Sequence, residues 1–411
     1  MNRVGIEYLN FYGGSAYIDV KELFEARGLD AARFDNLLLY RKSVGMPWED
    51  AVSNAVNAAK PIIDALTDDE KSRIELVVTA SESGLDFGKS MSTYIHDLLG
   101  LGRDCRLYEV KQACFGGTAA LESASTFVAS NMSPGAKALV LATDVVYSTA
   151  RGTYVEPSQG VGAVAMLVGD EPEVLDLDFQ AYGSQGYEVM DTCRPLANLE
   201  TGDADLSLLS YLDCLGKSYA NYTAKVQGAD FAATFDYLAF HTPFAGMVKG
   251  GHRKMMRDLY GMTTRDIDAD FHKRVAPSLR ACGDVGNVYS ATLYLALSSL
   301  LTHAEITGPK RIGLFSYGSG CSSKFFSGVV TPASQRRLLD MRVQERLDDR
   351  YRLSMEEYDD VIDLNAEWGF GVQNKDVDTT GPEGLYRRKF EGSGLLVLDR
   401  VRGFHREYRW A

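Results

Sequence analysis

The amino-acid sequence predicts an α/β protein in which two successive halves repeat one structural plan. Strand-like runs alternate with helical stretches along the chain, and a helix rich in small residues occurs once in each half. Alternation of this kind is typical of a largely parallel sheet covered by helices. At 411 residues the chain also exceeds the size at which one hydrophobic core keeps growing, so two domains are expected.

Five runs of the first half are rich in apolar and β-branched residues and are predicted to be strands. They are VGIEYLNFYG, RIELVVTAS, CRLYEVKQA, KALVLATDVVY and GAVAMLVGD. Between them, the apolar residues of DAVSNAVNAAKPIIDAL and GTAALESASTFVASN follow helical spacing. The second of these helices carries small or apolar residues on nearly all of its faces. This is expected where a helix packs against sheet on both sides.

The second half repeats this order of elements. YLDCLGKSYANYTAKV is predicted to be a helix, DYLAFHTPF a strand, GNVYSATLYLALSSLL a buried helix, and KRIGLFSYGSG a strand that ends in glycines. We interpret the repetition as an internal duplication, with domains at residues 1–170 and 171–411. The second domain would include a charged helical surface segment over residues 334–368 and closing strands over residues 384–410.

Composition and charge exclude several classes of function. The net charge of −13 argues against nucleic acid as a partner, because a phosphate-binding protein normally carries a basic face. The chain start lacks the features of a secretory signal, and no uncharged apolar run could cross a bilayer, so a cytoplasmic protein without membrane attachment is predicted. Six scattered cysteines without zinc spacing predict reduced thiols and no metal site. They are Cys105, Cys114, Cys193, Cys214, Cys282 and Cys321.

Cys114, in EVKQACFGGTAALESA, stands where a predicted strand passes into a helix. The free N–H groups and the positive end of that helix favour a thiolate over a thiol. Gly116 and Gly117 would let a ligand approach the backbone closely. Such a cysteine could accept an acyl group from a thioester. The stretch alone fits a buried structural cysteine equally well.

Two further residues are weak signals by themselves. His241, in FHTPFAGMVKGGHRK, follows a strand-like run, so its ring should project from the carboxyl end of a strand, where α/β sheets gather their chemistry. A lone histidine there is more often a core residue. Asn287, in GNVYS, is by default a helix N-cap.

Together, a helix-opening Cys114, a strand-end His241 and Asn287 at a helix start resemble the Cys-His-Asn arrangement of thiolase-fold condensing enzymes. The resemblance implies a thiolase-like fold, with duplicated halves layered αβαβα. Glu82, in VVTASESGLDFGKS, narrows the chemistry. Enzymes that form a carbanion by losing carbon dioxide need no base, whereas an acetyl group used directly must lose a proton to one. Without a role, Glu82 would be an exposed turn residue.

The stretches SESGLDFGKS, EVKQACFGGTAAL, HTPFAGMVKGG, GNVYSATLYLALSSLL and LFSYGSG, in this order and spacing, resemble the 3-hydroxy-3-methylglutaryl (HMG) synthase family. The resemblance implies that Glu82 is the general acid/base, Cys114 the acyl-accepting nucleophile and His241 the residue that polarises the acceptor ketone. It also implies four substrate-binding residues, with the backbone around Gly318 and Ser319 sharing an oxyanion hole with the Cys114 N–H. The four are Asn287, Ser319, Gly318 and Tyr147.

The chain departs from the coenzyme A enzymes of this family at two places. A glycine-rich stretch of those enzymes is replaced by RFDNLLLYRKSVGMPWED, and their Asp-Phe-Trp-Arg-Pro motif reads DTCRP. SESGLDFGKS, RFDNLLL and GSGCSSKFFSG resemble instead the synthases of polyketide β-branching, which act on phosphopantetheine-tethered substrates of acyl carrier proteins. Carrier proteins are small and acidic, so a basic patch would serve docking. The predicted docking residues are Arg33, Lys249, Arg253 and Lys254.

The resemblance therefore implies a homodimeric condensing enzyme with no bound cofactor and with a donor and an acceptor acyl carrier protein as partners. Acetyl would pass from the donor to Cys114, and its enolate would add to the β-ketone of the acceptor-bound chain before hydrolysis. One alternative is the same chemistry on acetyl-CoA and acetoacetyl-CoA in the mevalonate pathway. The other is an inactive thiolase-fold scaffold subunit, against which the joint presence of Cys114, Glu82 and His241 argues.

Overall fold

The computed structural model describes residues 3–147, 149–196, 199–382 and 384–411. The strands are β1 (Gly5–Tyr12), β2 (Ala16–Asp19), β3 (Arg41–Val44), β4 (Ile74–Ala80), β5 (Arg106–Val110), β6 (Lys137–Asp144), β7 (Gly162–Gly169), β8 (Leu175–Gly186), β9 (Thr192–Leu196), β10 (Leu199–Gly202), β11 (Tyr237–Phe240), β12 (Lys310–Gly318), β13 (Ser322–Val330), β14 (Tyr351–Arg352), β15 (Lys375–Asp376), β16 (Leu396–Arg402) and β17 (His405–Trp410).

The α-helices are α1 (Val20–Ala26), α2 (Phe34–Leu37), α3 (Ala51–Ala65), α4 (Asp68–Ser72), α5 (Ser92–Leu98), α6 (Gly116–Ala129), α7 (Ala204–Lys225), α8 (Ala245–Tyr260), α9 (Thr264–Arg274), α10 (Ala276–Val285), α11 (Thr292–His303), α12 (Pro332–Leu339), α13 (Val343–Asp348), α14 (Met355–Ala366) and α15 (Leu385–Lys389). Short 3₁₀ helices span Ala31–Arg33, Glu156–Ser158 and Tyr289–Ala291. Within the described ranges, none of the helices is both long and apolar enough to cross a membrane.

The main sheet repeats one strand order in its two halves. Across the described residues its order is β11-β12-β13-β8-β1-β7-β6-β4-β5, with β1 and β8 meeting in the middle. Outward from β1 come β7, β6 and β4, and outward from β8 come β13, β12 and β11, with the same antiparallel, antiparallel and parallel pairings. The duplication and the thiolase-like fold expected from the sequence are therefore present.

The sheet is mixed, so the expectation of a largely parallel sheet is wrong. Only β4 with β5, β4 with β6, and β11 with β12 run parallel among the described strand pairs of this sheet. β12 turns directly into β13 through residues 319–321, and so short a connection can only join antiparallel neighbours. The alternation of helices and strands in the sequence did not distinguish such a hairpin from a crossover.

The two small-residue helices lie at the centre of the molecule, as their composition predicts. The helix α6 packs on β4, β5, β6 and β7, while α11 is buried among α10, β11 and β1. Gly117 of α6 is required by a close approach of backbone, because a Cβ there would lie 2.2 Å from the carbonyl oxygen of Ser290. Gly117 therefore allows the backbones of the two halves to pack closely, whereas the sequence suggested that it allows a ligand to approach.

The carboxyl-terminal segment packs against elements of the first half. The charged stretch predicted to be a surface helix is divided into α12, α13 and α14, and the short β14 pairs with β2. Tyr358 and Val361 of α14 are buried in one cluster with Trp48 and Phe390. Most residues of the segment are exposed or half-buried, as a surface segment requires, but its few apolar residues are buried and complete this cluster. The division into domains at residue 170 stays a prediction.

Candidate active site

The loop that carries Cys114 lies between the end of β5 and the start of α6. Ala113 has a φ of 43°, a left-handed conformation that a residue with a side chain adopts at a cost. The loop rests against the end of β12, where a Cβ on Gly318 would lie 2.5 Å from the Phe115 nitrogen. The carbonyl of Ser319 accepts a hydrogen bond from Gln112 Nε2 at 3.4 Å. The structure therefore brings the cysteine loop of one half to Gly318 and Ser319 of the other.

Cys114 and Glu82 are in direct contact. The Cys114 Sγ donates a hydrogen bond to Glu82 Oε1 at 3.1 Å. Burial, followed by the negative charge of Asp144, raises the pKa of Glu82 to about 8. Burial, followed by the charge of Glu82, raises the pKa of the Cys114 thiol well above its ordinary value. The resting pair therefore holds its protons near neutral pH.

This finding corrects the expectation of a resting thiolate at the start of α6. A helix end lowers the pKa of a thiol only modestly, whereas burial and an adjacent carboxyl group act in the opposite direction here. The thiol must therefore lose its proton as it reacts, and the ionised fraction of Glu82, whose pKa is about 8, offers a proton acceptor at Oε1 within hydrogen-bond distance.

Asp144, at the end of β6, holds the Glu82 loop in place. Its Oδ1 accepts hydrogen bonds from the backbone N–H groups of Glu82 at 2.7 Å and Ser83 at 3.1 Å. Its Oδ2 accepts from the N–H and hydroxyl of Ser290, at 3.0 and 2.5 Å. One buried carboxylate thus connects the Glu82 loop to the turn before α11. Asp144 was not singled out from the sequence, although an acid at the end of an apolar strand was a usable signal.

His241 follows β11 and is buried. Its backbone N–H donates to Phe315 O at 2.7 Å, and the Tyr211 hydroxyl donates to its carbonyl at 2.9 Å. Burial lowers the pKa of the imidazole to about 3, so the ring is neutral at physiological pH. Its Nδ1 has no hydrogen-bond partner in the part of the chain that the structure describes. A neutral ring with a free nitrogen suits a group that binds a ligand.

Asn287 lies before the 3₁₀ turn at Tyr289–Ala291, five residues ahead of the first residue of α11. Its Oδ1 accepts from the Tyr289 N–H at 2.9 Å and from the Thr292 hydroxyl at 2.8 Å. The default expectation of a capping residue is therefore correct for this oxygen, although α11 begins later than predicted. Only the amide NH₂ is left to contact a substrate, so the binding role of Asn287 stays a prediction.

Tyr147 lies against the carboxyl-terminal hairpin. Its ring packs on Trp368, Leu398 and Val401. Burial raises the pKa of its hydroxyl to about 12, and the charge of Arg406 opposes this effect. The structure therefore surrounds Tyr147 with elements other than the Cys114 loop, and its substrate-binding role stays a prediction.

Arg194 and Tyr289 adjoin Glu82 and were not singled out from the sequence. Arg194 Nη1 donates to the carbonyl of Glu82 at 2.9 Å, and its Nη2 donates to Glu200 at 2.8 Å. Its guanidinium carbon lies 5.6 Å from the centre of the Tyr289 ring. DTCRP departs from the family motif at two positions, yet its Arg194 contacts Glu82 and its Asp191 binds Tyr317 and the Gly320 N–H.

The four predicted docking residues lie on two adjoining elements. Arg33 precedes α2, which packs on the first turn of α8, since a Cβ on Gly246 would lie 1.8 Å from Asn36 O. Lys249 and Arg253 of α8 approach Asp268 of α9 at 3.5 and 3.9 Å, and Lys254 pairs with Asp258. Arg33 stacks on Tyr154 and has no acidic partner within 4 Å among the described residues.

No group of three or more His, Cys, Asp or Glu side chains that could hold a metal occurs among residues 3–147, 149–196, 199–382 and 384–411. The expectation that the site works without a metal stays a prediction. The chemistry at hand is that of a protonated thiol, a buried carboxyl group and a neutral imidazole.

Family models and individual relatives both relate this chain to hydroxymethylglutaryl-coenzyme A synthases. The family model for the hydroxymethylglutaryl-coenzyme A synthase N terminal matches residues 1–173, and that for the C terminal matches residues 257–382. The chain is 52% identical to polyketide biosynthesis 3-hydroxy-3-methylglutaryl-ACP synthase PksG of Bacillus subtilis (strain 168), over the full length of both. It is 35% identical to hydroxymethylglutaryl-CoA synthase of Enterococcus faecalis, over 87% of this chain and 90% of that protein.

Solved structures of HMG synthases are also similar to this chain. The curacin biosynthetic pathway HMG synthase in complex with holo donor-ACP matches with a TM-score of 0.97 and 51% identity, over all of both chains. MvaS in complex with 3-hydroxy-3-methylglutaryl coenzyme A matches with a TM-score of 0.87 and 31% identity, again over all of both chains. The chain belongs to the hydroxymethylglutaryl-coenzyme A synthase family.

Proposed function

We propose that this protein is an HMG synthase-type condensing enzyme of polyketide β-branching, acting on carrier-bound acyl groups. The observation that carries the chemistry is the contact between the Cys114 thiol and Glu82, which joins a nucleophile to a base inside a buried site. The choice of carrier proteins is supported by the 52% identity to an ACP synthase, against 35% for a CoA synthase.

In the first step the Cys114 sulfur attacks the thioester carbonyl of acetyl held by the donor acyl carrier protein. A bond forms between sulfur and the acetyl carbon, and the bond to the phosphopantetheine sulfur breaks. The thiol proton passes by way of Glu82 Oε1, 3.1 Å away, to the departing pantetheine thiolate. The backbone of the Cys114 loop and of Gly318–Ser319 would stabilise the negative oxygen that forms in between.

In the second step the Glu82 carboxylate removes a proton from the acetyl methyl group. The resulting enolate carbon bonds to the β-ketone carbon of the acceptor chain, whose oxygen takes up the proton that Glu82 removed from the methyl group. The neutral His241 ring would donate a hydrogen bond to that ketone, since burial holds the pKa of the ring at about 3. Water then cleaves the thioester to Cys114, which leaves a carboxylate on the branched product and restores the thiol.

The proposal is tested by following the mass of the intact enzyme with acetyl-carrier protein and with acetyl-CoA at matched concentrations. Faster acetylation of Cys114 by the carrier protein supports it. Faster reaction with acetyl-CoA would support the CoA enzyme of mevalonate synthesis. An enzyme that gains no acetyl group from any thioester would be the scaffold subunit. The proposal places the reaction in the cytoplasm, where thiols stay reduced.

Reversing the charge of Arg33 should slow acetylation by the donor carrier protein. Arg33 has no acidic partner within 4 Å among the described residues, whereas Lys254 is paired with Asp258. Arg33→Glu should therefore slow acetylation more than the same change at Lys254. An exposed charge contributes little to affinity, so a roughly 3- to 10-fold lower rate at low salt is expected. Rates are measured with the carrier-bound donor and with a small acetyl thioester, which should react unchanged.

Arg342→Glu is the matched control for this experiment, because Arg342 is exposed and pairs with Glu345 elsewhere on the surface. It should react with the carrier protein like the wild type. Equal rates for Arg33→Glu, Arg253→Glu and Arg342→Glu would place the docking surface outside these residues.

The homodimer of our proposal would form through β5, the last strand of the main sheet. Its outer edge has no partner strand in the described ranges, and a groove of about 640 Å³ runs beside it along α6. Tyr108, Phe127 and Met132 line that groove, and Met132 is 68% exposed. An unpaired edge flanked by apolar side chains is a template for pairing with a second chain.

Placing a charge in this groove should therefore yield monomers. Phe127→Glu and Met132→Glu would each remove an apolar contact from the interface and bury a carboxylate there, which costs more than such a contact returns. Light scattering should report the mass of one chain for the variants and of two for the wild type. Phe404→Glu, at a residue that is 61% exposed in the turn after β16, should stay dimeric. A wild-type monomer, or dimeric groove variants, would refute this interface.

A further inference from the structure

We infer that Arg194, held in place by Glu200, is a positioning residue that fixes the backbone of Glu82 and supplies the positive charge beside which its carboxylate works. The inference rests on the proposed function of Glu82 as the base in condensation. It concerns a residue that touches neither the thiol nor, in our proposal, the substrate.

The geometry joins three separate parts of the site through one side chain. Nη1 of Arg194 donates to the backbone carbonyl of Glu82 at 2.9 Å, so the guanidinium restrains the residue itself and leaves its carboxyl group free to contact Cys114. Nη2 donates to Glu200 Oε2 at 2.8 Å, which links β9 to β10. The planar fork of arginine can make both bonds at once, which the single nitrogen of lysine does less well.

The third part is Tyr289, in the turn before α11. Its φ of 44° is left-handed, and its ring lies under the Arg194 guanidinium carbon at 5.6 Å. A cation over an aromatic face at this distance is attractive, more so where water is displaced. Arg194 therefore also holds a strained turn whose next residue, Ser290, is bound by Asp144.

The charges around Glu82 come from three strands. Asp144 of β6 and Glu200 of β10 raise the pKa of Glu82, Arg194 of β9 lowers it, and Cys114 donates a hydrogen bond to its carboxyl group. Tyr289 is the other titratable side chain in this group. Arg194 and Glu200 thus form a bonded pair whose members act on Glu82 in opposite directions. If this ion pair only stabilised the fold, neutralising one member and then the other would not shift the pH midpoint of condensation in opposite directions.

This difference gives the test. The enzyme is first acetylated on Cys114, and single-turnover condensation with an acetoacetyl-pantetheine acceptor is then measured from about pH 6 to 10, so that carrier docking does not enter. The rate should rise with pH as Glu82 ionises. Arg194→Gln should move the midpoint of this rise upward by about one unit, because the positive charge of Arg194 lowers the pKa of Glu82 in the wild type. Glu200→Gln should move it downward.

Arg194→Lys should keep the midpoint within about half a unit of the wild type, since the charge remains, while the limiting rate falls by roughly 10-fold because the fork is lost. Arg311→Gln, which breaks an exposed arginine–carboxylate pair with Asp178, should match the wild type throughout. Midpoints that do not move, or that move in the same direction for Arg194→Gln and Glu200→Gln, would overturn the inference. A wild type that never becomes acetylated would instead refute the proposed function.

Discussion

Replacing Cys114 with serine should abolish the acetyl-enzyme and lower the overall condensation rate by a factor on the order of 10⁴ or more. Serine keeps the shape of the side chain, but a hydroxyl is a much weaker nucleophile than sulfur and has a far higher pKa. Glu82, 3.1 Å from the sulfur, is too weak a base to ionise a hydroxyl group. Intact-mass spectrometry after mixing with acetyl-carrier protein should show one added acetyl group on the wild type and none on Cys114→Ser.

Cys282→Ser is the matched control for the cysteine variant. Cys282 is fully buried, and its Sγ donates to the carbonyl of Ser278, which cannot take up a proton as the Glu82 carboxylate can, so it should neither accept acetyl nor affect its transfer. Iodoacetamide should label Cys114 in the wild type before Cys282 or Cys321. An acetyl group that still accumulates on Cys114→Ser would mean that another side chain is the nucleophile.

Much of the fold follows from local sequence patterns. The runs around β1, β4, β6, β7 and β12 are largely apolar, because these strands are covered on both faces, and such runs can be recognised without knowing their partners. The mixed pairing could not be predicted in this way, since the direction of a strand depends on where its neighbours lie. The role of the carboxyl-terminal segment in burying Trp48 was hidden for the same reason.

The residues that carry the chemistry could be predicted from the sequence, because each stands in a short motif. The residues that hold them in place could not, because their contacts join parts of the chain that are distant in sequence. Cys114, Glu82 and His241 could be selected from short motifs. Asp144 binds backbone groups of Glu82 and Ser290, which are separated by more than half of the chain. Its place at the end of an apolar strand marks it as unusual but does not show which groups it contacts. The ionisation of Cys114 could not be predicted from its place before α6, because burial and Glu82 determine its direction.

Replacing Glu82 with glutamine should lower condensation by a factor on the order of 10² or more. The glutamine oxygen can still accept a hydrogen bond from Cys114, but the amide cannot remove a proton from the acetyl methyl group. Self-acetylation should fall less than condensation, because the thiol needs a proton acceptor only to ionise and solvent can serve at higher pH. Separate measurement of acetyl uptake and of product release from acetylated enzyme distinguishes the two steps.

A fold defect in this variant can be excluded by its stability, whose pH dependence has a definite sign. The pKa of Glu82 rises from 4.5 to about 8 on folding, so the folded state binds this proton more tightly than the unfolded chain does. The stability that Glu82 contributes is therefore present at low pH and is lost as the pH rises through 8. Glutamine stays neutral, so the melting temperature of Glu82→Gln should exceed that of the wild type by more at about pH 8.5 than at about pH 5.5.

Glu109→Gln is the matched control, since burial also raises the pKa of this half-buried carboxyl group, which binds the Met91 N–H and the Thr79 hydroxyl. It should change stability without changing either half-reaction by more than about 3-fold. If Glu82→Gln melts like the wild type at both pH values while condensation persists, Glu82 is neither the buried titrating group nor the base. If acetyl uptake is lost as completely as condensation, Glu82 acts chiefly on the thiol of Cys114, and the methyl proton must be taken by another group.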